Sequence, residues 1–138
     1  MNYLENKNIE VSMYYRIKVA GLPGIKTLTC LTEELNFANA AYKVIKYVGN
    51  DAEIEEIKLM KNFKPAINEK FADTNKLYMV KIAEDIELDN GKIKTIKYDL
   101  PAFANDSNQL HDIVNKYIAQ GLDNMRLTTI SETKWIWI

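Results

Sequence analysis

Cysteine, histidine and proline are all scarce in this 138-residue chain, and each scarcity excludes a class of function. The one cysteine, Cys30, rules out an intramolecular disulfide and any cysteine-rich zinc site, and it fits a reducing compartment. Its place in a strand-like run points to a buried, inert thiol. The one histidine, His111, excludes a histidine-rich metal centre, and it follows Leu110 in a helical stretch as an ordinary surface residue. No segment approaches the roughly 20 apolar residues of a membrane span. Glu5, Lys7 and Glu10 interrupt the N-terminus before a signal-peptide core can form. A strong net charge is missing too. Eighteen basic against nineteen acidic residues give −1, so no global pull toward nucleic acid or an anionic membrane exists and any basic surface must be local. Phosphate-cradling glycine loops and the HExxH zinc motif are absent, and the reading is of a cytoplasmic protein that is not an enzyme and holds no cofactor.

What is present is a unit that occurs twice. Tyr15-Arg16-Ile17-Lys18-Val19 returns as Tyr78-Met79-Val80-Lys81-Ile82. Ile25-Lys26-Thr27-Leu28-Thr29-Cys30 returns as Ile93-Lys94-Thr95-Ile96-Lys97-Tyr98, and Lys46-Tyr47-Val48 as Lys116-Tyr117-Ile118. The offsets of 63, 68 and 70 grow in one direction, as expected of a duplicated segment with small insertions in its second copy. The chain is long enough for one core and too short for two domains of ordinary size. It therefore reads as a single domain, 1–138, of two repeats, 13–62 and 76–138, joined by the loop 62–75.

Within the first repeat, residues 14–19 alternate in the period-two pattern of a half-buried strand, Gly21 to Gly24 turn the chain, and residues 25–31 form the hairpin partner. The period then lengthens. Phe37, Ala40, Ala41, Val44, Ile45 and Val48 share one helical face, with Asn36 as N-cap and Gly49 as terminator. Residues 53–61 give a third strand. The second repeat follows the same order: strands 77–87 and 92–100 around Asp89-Asn90-Gly91, Pro101 closing the second strand, a helix capped by Asp106 or Ser107 and ended by Gly121, and a last strand 126–138. Two such units predict an α+β fold, an antiparallel sheet of about six strands with both helices on one face. Two curved half-sheets are the alternative.

The acidic cluster Glu84, Asp85, Glu87 and Asp89 resembles a calcium loop only in part, since its glycine falls one place late and its flanks are strands; it reads as a solvated hairpin tip. Basic and aromatic residues carry more. If Tyr15, Ile17 and Val19 pack under the helix, then Tyr14, Arg16 and Lys18 point to the other side of the sheet, with Met79 and Lys81 there in the second repeat and Lys97 beside them. Such a face has point charges for phosphates and flat groups for bases. In Trp135-Ile136-Trp137-Ile138 both tryptophans fall on one side of an extended strand, ready to complete a core or a subunit interface or to stack on bases.

The motif Tyr78 to Ile82, the turn Asn90-Gly91-Lys92 with its lysine-rich strand, and Ile130-Ser131-Glu132-Thr133-Lys134 resemble an uncharacterised two-repeat domain family of Bacteroidetes and their phages. The resemblance spans most of the chain beyond about residue 13. Members in large gut phages resemble candidate single-stranded DNA-binding proteins of the replication module. The resemblance thus implies binding of single-stranded DNA, and with the reading of the residues the leading expectation is a non-enzymatic binder of single-stranded nucleic acid, DNA before RNA, acting as a homo-oligomer away from membranes. Tyr14, Arg16, Lys18, Lys81, Lys97, Trp135 and Trp137 are the expected contacts. The competing expectation is a protein-interaction or assembly module, such as a phage structural or host-takeover factor.

Overall fold

The computed structural model describes residues 12–121 and 124–138. The N-terminal stretch read above for a signal sequence lies outside them. Among the described residues the chain is α+β, with seven strands and two helices. In order these are β1 (Met13–Ala20), β2 (Leu28–Glu34), α1 (Phe37–Val48), β3 (Glu53–Leu59), β4 (Lys76–Glu87), β5 (Ile93–Ala104), α2 (Ser107–Ala119), β6 (Met125–Glu132) and β7 (Ile136–Trp137).

One six-stranded sheet is not what forms. The strands make two sheets, ordered β3-β1-β2-β7 and β5-β4-β6. β1 takes β2 and β3 on its two sides and β4 takes β5 and β6, so each hairpin gains its third strand locally. The chain divides accordingly into two units, one running to Lys61 and taking in Trp135–Ile138, the other Asn62–Lys134.

In the first unit Tyr15, Ile17 and Val19 are buried with Cys30 against Ala40 and Val44 of α1. Asn36 caps the helix by accepting the Asn39 N–H at 2.8 Å, and Gly49, at φ +106°, ends it by donating its N–H to the Ile45 carbonyl. Phe37, expected in the apolar stripe, is half exposed, because its place in the first turn leaves its ring at the margin of the helix contact, against Tyr15 at 4.9 Å. β2 begins three residues later than the sequence pattern implies. Ile25 closes the turn by donating its N–H to Leu22, and Gly24 before it holds φ +73°.

The second unit's core is Tyr78, Val80, Ile82, Tyr98 and Leu100 under Leu110 and Val114 of α2. Asp106 is the N-cap, accepting the Gln109 N–H at 2.8 Å. β5 does not stop at Pro101 but continues to Ala104. Proline is accommodated because its missing N–H lies on the outer edge of β5, where no bond to β4 is lost. The ladders also pair the two similar hairpins differently. Ile17 faces Cys30 while Val80 faces Leu100, so the matching hexapeptides sit two residues apart in register.

The last strand is two strands. β6 ends where the Thr133 N–H and hydroxyl both donate to the Leu77 carbonyl. β7 then joins the other sheet, parallel to β2, with Cys30 opposite Ile136 and Leu31 opposite Trp137. The Ile138 N–H donates to Leu31 at 3.0 Å, and the buried Thr32 hydroxyl donates to the Ile138 carbonyl at 3.0 Å. Residues 62–75, read as a connecting loop, begin as a strap along β5, with Phe63 bridging Asp99 in parallel.

Two measurements check this packing. Leu110→Ala should cost about 2–5 kcal/mol in urea unfolding, while Leu88→Ala at the exposed hairpin tip should stay within about 0.5 kcal/mol; equal effects would contradict the assigned core. Burial pushes the Cys30 thiol up from 9.0 to about 11. Its neutral form is the one that fits, so the contribution to stability is full below pH 9 and lost as the pH rises through about 11. A thiol reagent at neutral pH should therefore label native Cys30 only at the rate of unfolding.

Candidate nucleic-acid interface

Antiparallel pairing keeps directly opposite residues on one face, so the β1 register decides what surrounds Arg16. Arg16 lies between Lys58 of β3 and Leu31 of β2, and Leu31 in turn pairs with Trp137 of β7. These four form one row across the whole sheet. Lys18 lies in the adjacent row between Glu56 and Thr29, and Tyr14 pairs with Glu33. This is the face opposite α1, because the alternate residues Tyr15, Ile17 and Val19 enter the core.

The tryptophans reach this face through the alternation of their own strand. Ile138 packs into the α1 core, which sends Trp135 and Trp137 the other way. The Arg16 guanidinium stands over the Trp135 ring, 5.8 Å from its centroid, within cation–π range. Tyr14 and Trp137 have ring centroids 5.7 Å apart at 50°. Five of the seven residues expected from the sequence are thus brought together. Tyr14 is buried, at 6% exposure, so its ring backs Trp137 and the half-buried indoles are the outer aromatic surface.

Lys81 and Lys97 belong to the other unit and share a face there. Lys81 lies opposite Asp99, and Lys97 opposite Ala83, the next residue on that side of β4. Lys97 is exposed and Lys81 half-buried.

Acids read from the sequence as solvated charges stand among the cations and are tied to them. Glu56 accepts a hydrogen bond from Arg16 at 2.9 Å, and that bond, followed by the field of Arg16, Lys18 and Lys58, holds its carboxyl below the usual range. Only the strand register reveals this partner. The Asp85 carboxylate at the hairpin is likewise occupied, by the Thr95 hydroxyl at 2.6 Å and Arg126 at 2.9 Å. Tyr42 and Tyr47 expose their rings on α1, on the other side of this sheet from the tryptophans. Tyr42 was legible as an aromatic off the apolar stripe of the helix. Among the described residues no group of three or more His, Cys, Asp or Glu is placed to hold a metal ion.

Comparison with protein-family models and with curated protein sequences finds no match to this chain.

The Glu56 tie should be present at neutral pH and lost as the pH falls below the ordinary carboxylate range through the lowered value. Carboxyl-detected NMR titration should show Glu56 protonating below the ordinary glutamate range. Arg16→Ala should return it to ordinary behaviour; an unmoved titration would show that Arg16 is not its partner.

Proposed function

We propose that this chain binds single-stranded nucleic acid, DNA in preference to RNA, without strong sequence preference and without catalysing a reaction, as an accessory of replication or recombination. The observation that carries this reading is the guanidinium of Arg16 over the Trp135 ring, with Trp137 against Tyr14 and Lys18 exposed alongside. Rings that accept any base and cations that accept any phosphate are the combination that sequence-tolerant single-strand binders use. Lys81 and Lys97 add a second pair of cations on one face. Mixed charge within the face keeps the attraction local and strongly salt-dependent, in keeping with a net charge of −1.

The proposal includes descent of both units from one segment. Each unit runs strand, strand, helix, strand, and the ladders of β1 and β4 slip at matching places, between Lys18 and Val19 and between Lys81 and Ile82. Ala40 and Val44 of α1 are matched by the buried Leu110 and Val114 of α2. Lys18 and Lys81 are then counterparts, each standing beside its slip. The resemblance to the two-repeat phage family supports the same class.

Both tryptophans of the chain lie on the proposed face, so intrinsic fluorescence reports on it directly. Titration with oligo-dT of about 30 nucleotides should quench this fluorescence, and matching duplex should not. Trp135→Ala should weaken binding by about 1–3 kcal/mol. Alanine at both Lys18 and Lys81 should lower the log–log salt slope by about 1.4, or 0.7 for each lost phosphate contact. No quenching at low salt would overturn the reading, and an unchanged slope would remove these lysines from it.

A further inference from the structure

β5 is an edge strand, and its outer side is covered along only part of its length. Over the covered part the Asp99 N–H donates to Asn62 and the Asp99 carbonyl accepts from Lys64, both at 2.9 Å. The Pro101 carbonyl accepts from Ile67, and the Asn68 amide makes two 2.8 Å bonds to the Phe103 backbone. Outward-facing residues are therefore odd-numbered. The Leu88 N–H bond to Lys92 agrees, since it sets the even-numbered positions toward β4. By the same alternation the N–H and C=O of Ile93, Thr95 and Lys97 point outward, and no backbone group among the described residues meets them.

The side chains along this open stretch are of one sign. Lys92, Lys94 and Lys97 are exposed, and no acid lies between Gly91 and Tyr98. Lys94 and Lys97 stand on opposite faces of the strand, so each face of the edge carries a lysine, with Asp85 and Glu87 of β4 set one strand back, opposite Thr95 and Ile93. Pairing with the same edge of a second copy would bring two lysine-bearing strands together, with Lys94 of each copy as diagonal neighbours of like charge. A nucleic-acid strand has no alternating amide N–H and C=O to match the outward groups. An extended peptide has both, and an acidic one also matches the lysines.

We propose that Ile93–Lys97 is a docking edge for an acidic, extended segment of a partner protein, which adds to β5 as a further strand where the chain's own strap leaves off. This surface is separate from the tryptophan face; it ends at Lys97, one of the second unit's proposed phosphate contacts, but its backbone pairing does not rest on nucleic-acid binding.

The test uses the full chain and a fluorescein-labelled decapeptide with glutamates on both sides of its extended form. A second peptide of the same sequence is N-methylated at alternate amides. The acidic peptide should bind by anisotropy at low salt and should protect the Thr95 and Lys97 amides from hydrogen exchange. Lys92→Glu combined with Lys94→Glu should weaken binding about tenfold or more, while the Ile96 and Tyr98 amides, which face β4, stay protected and show the hairpin intact. The N-methylated peptide should fail to bind. Equal binding of the two peptides would reduce the edge to a patch of charge and overturn the proposal. So would an absence of protection at Thr95 and Lys97 under saturating peptide, or their protection by oligo-dT instead.

Discussion

The second strand of each hairpin has an outer edge whose backbone groups need partners, and the path of the whole chain answers to that need. Leu31 of β2 is fully buried, so its outward carbonyl cannot rely on water. The last four residues supply its partner, and Thr32 fixes the Ile138 carbonyl as well. Asp99 of β5 meets the same requirement through the strap that begins at Asn62. In each case the partner is an extended segment lying parallel on the strand, and in each case it comes from elsewhere in the sequence.

This edge pairing also creates the aromatic face. Once Trp137 is opposite Leu31, Leu31 opposite Arg16 and Arg16 opposite Lys58, cation and indole are neighbours by register. The parity of Trp-Ile-Trp-Ile does the rest, giving Ile138 to the core and Trp135 to Arg16. Glu56 enters through the same ladder and shares Arg16 with the ring, so the guanidinium is held in place from two directions. An exposed ion pair of this kind adds little to stability; its effect is to orient the guanidinium.

Local pattern was legible where local physics decides. The alternation of Tyr15, Ile17 and Val19, the caps Asn36 and Asp106, the terminator Gly49 and the tip Asn90-Gly91 each rest on a few neighbouring residues, and each was readable. Pro101 was misleading, because whether a proline ends a strand depends on which edge its nitrogen faces, and that is a property of the ladder. The final strand misled for a related reason. Residues 126–138 carry no breaker, and only the competition between edges shows that β6 stops at Thr133 and that the tryptophan segment leaves for another sheet.

By itself the sequence determined the α+β class, the order of elements, the two faces of β1 and the coexistence of cations and aromatics on one of them, since alternation and capping act over a few residues. The tertiary structure alone decided that there are two sheets, that Trp135 meets Arg16, that Glu56 competes for the same guanidinium, and that half of the β5 edge is left open. Those outcomes depend on register between segments up to about a hundred residues apart, and long-range register is set by which edges remain to be paired once the local hairpins have formed.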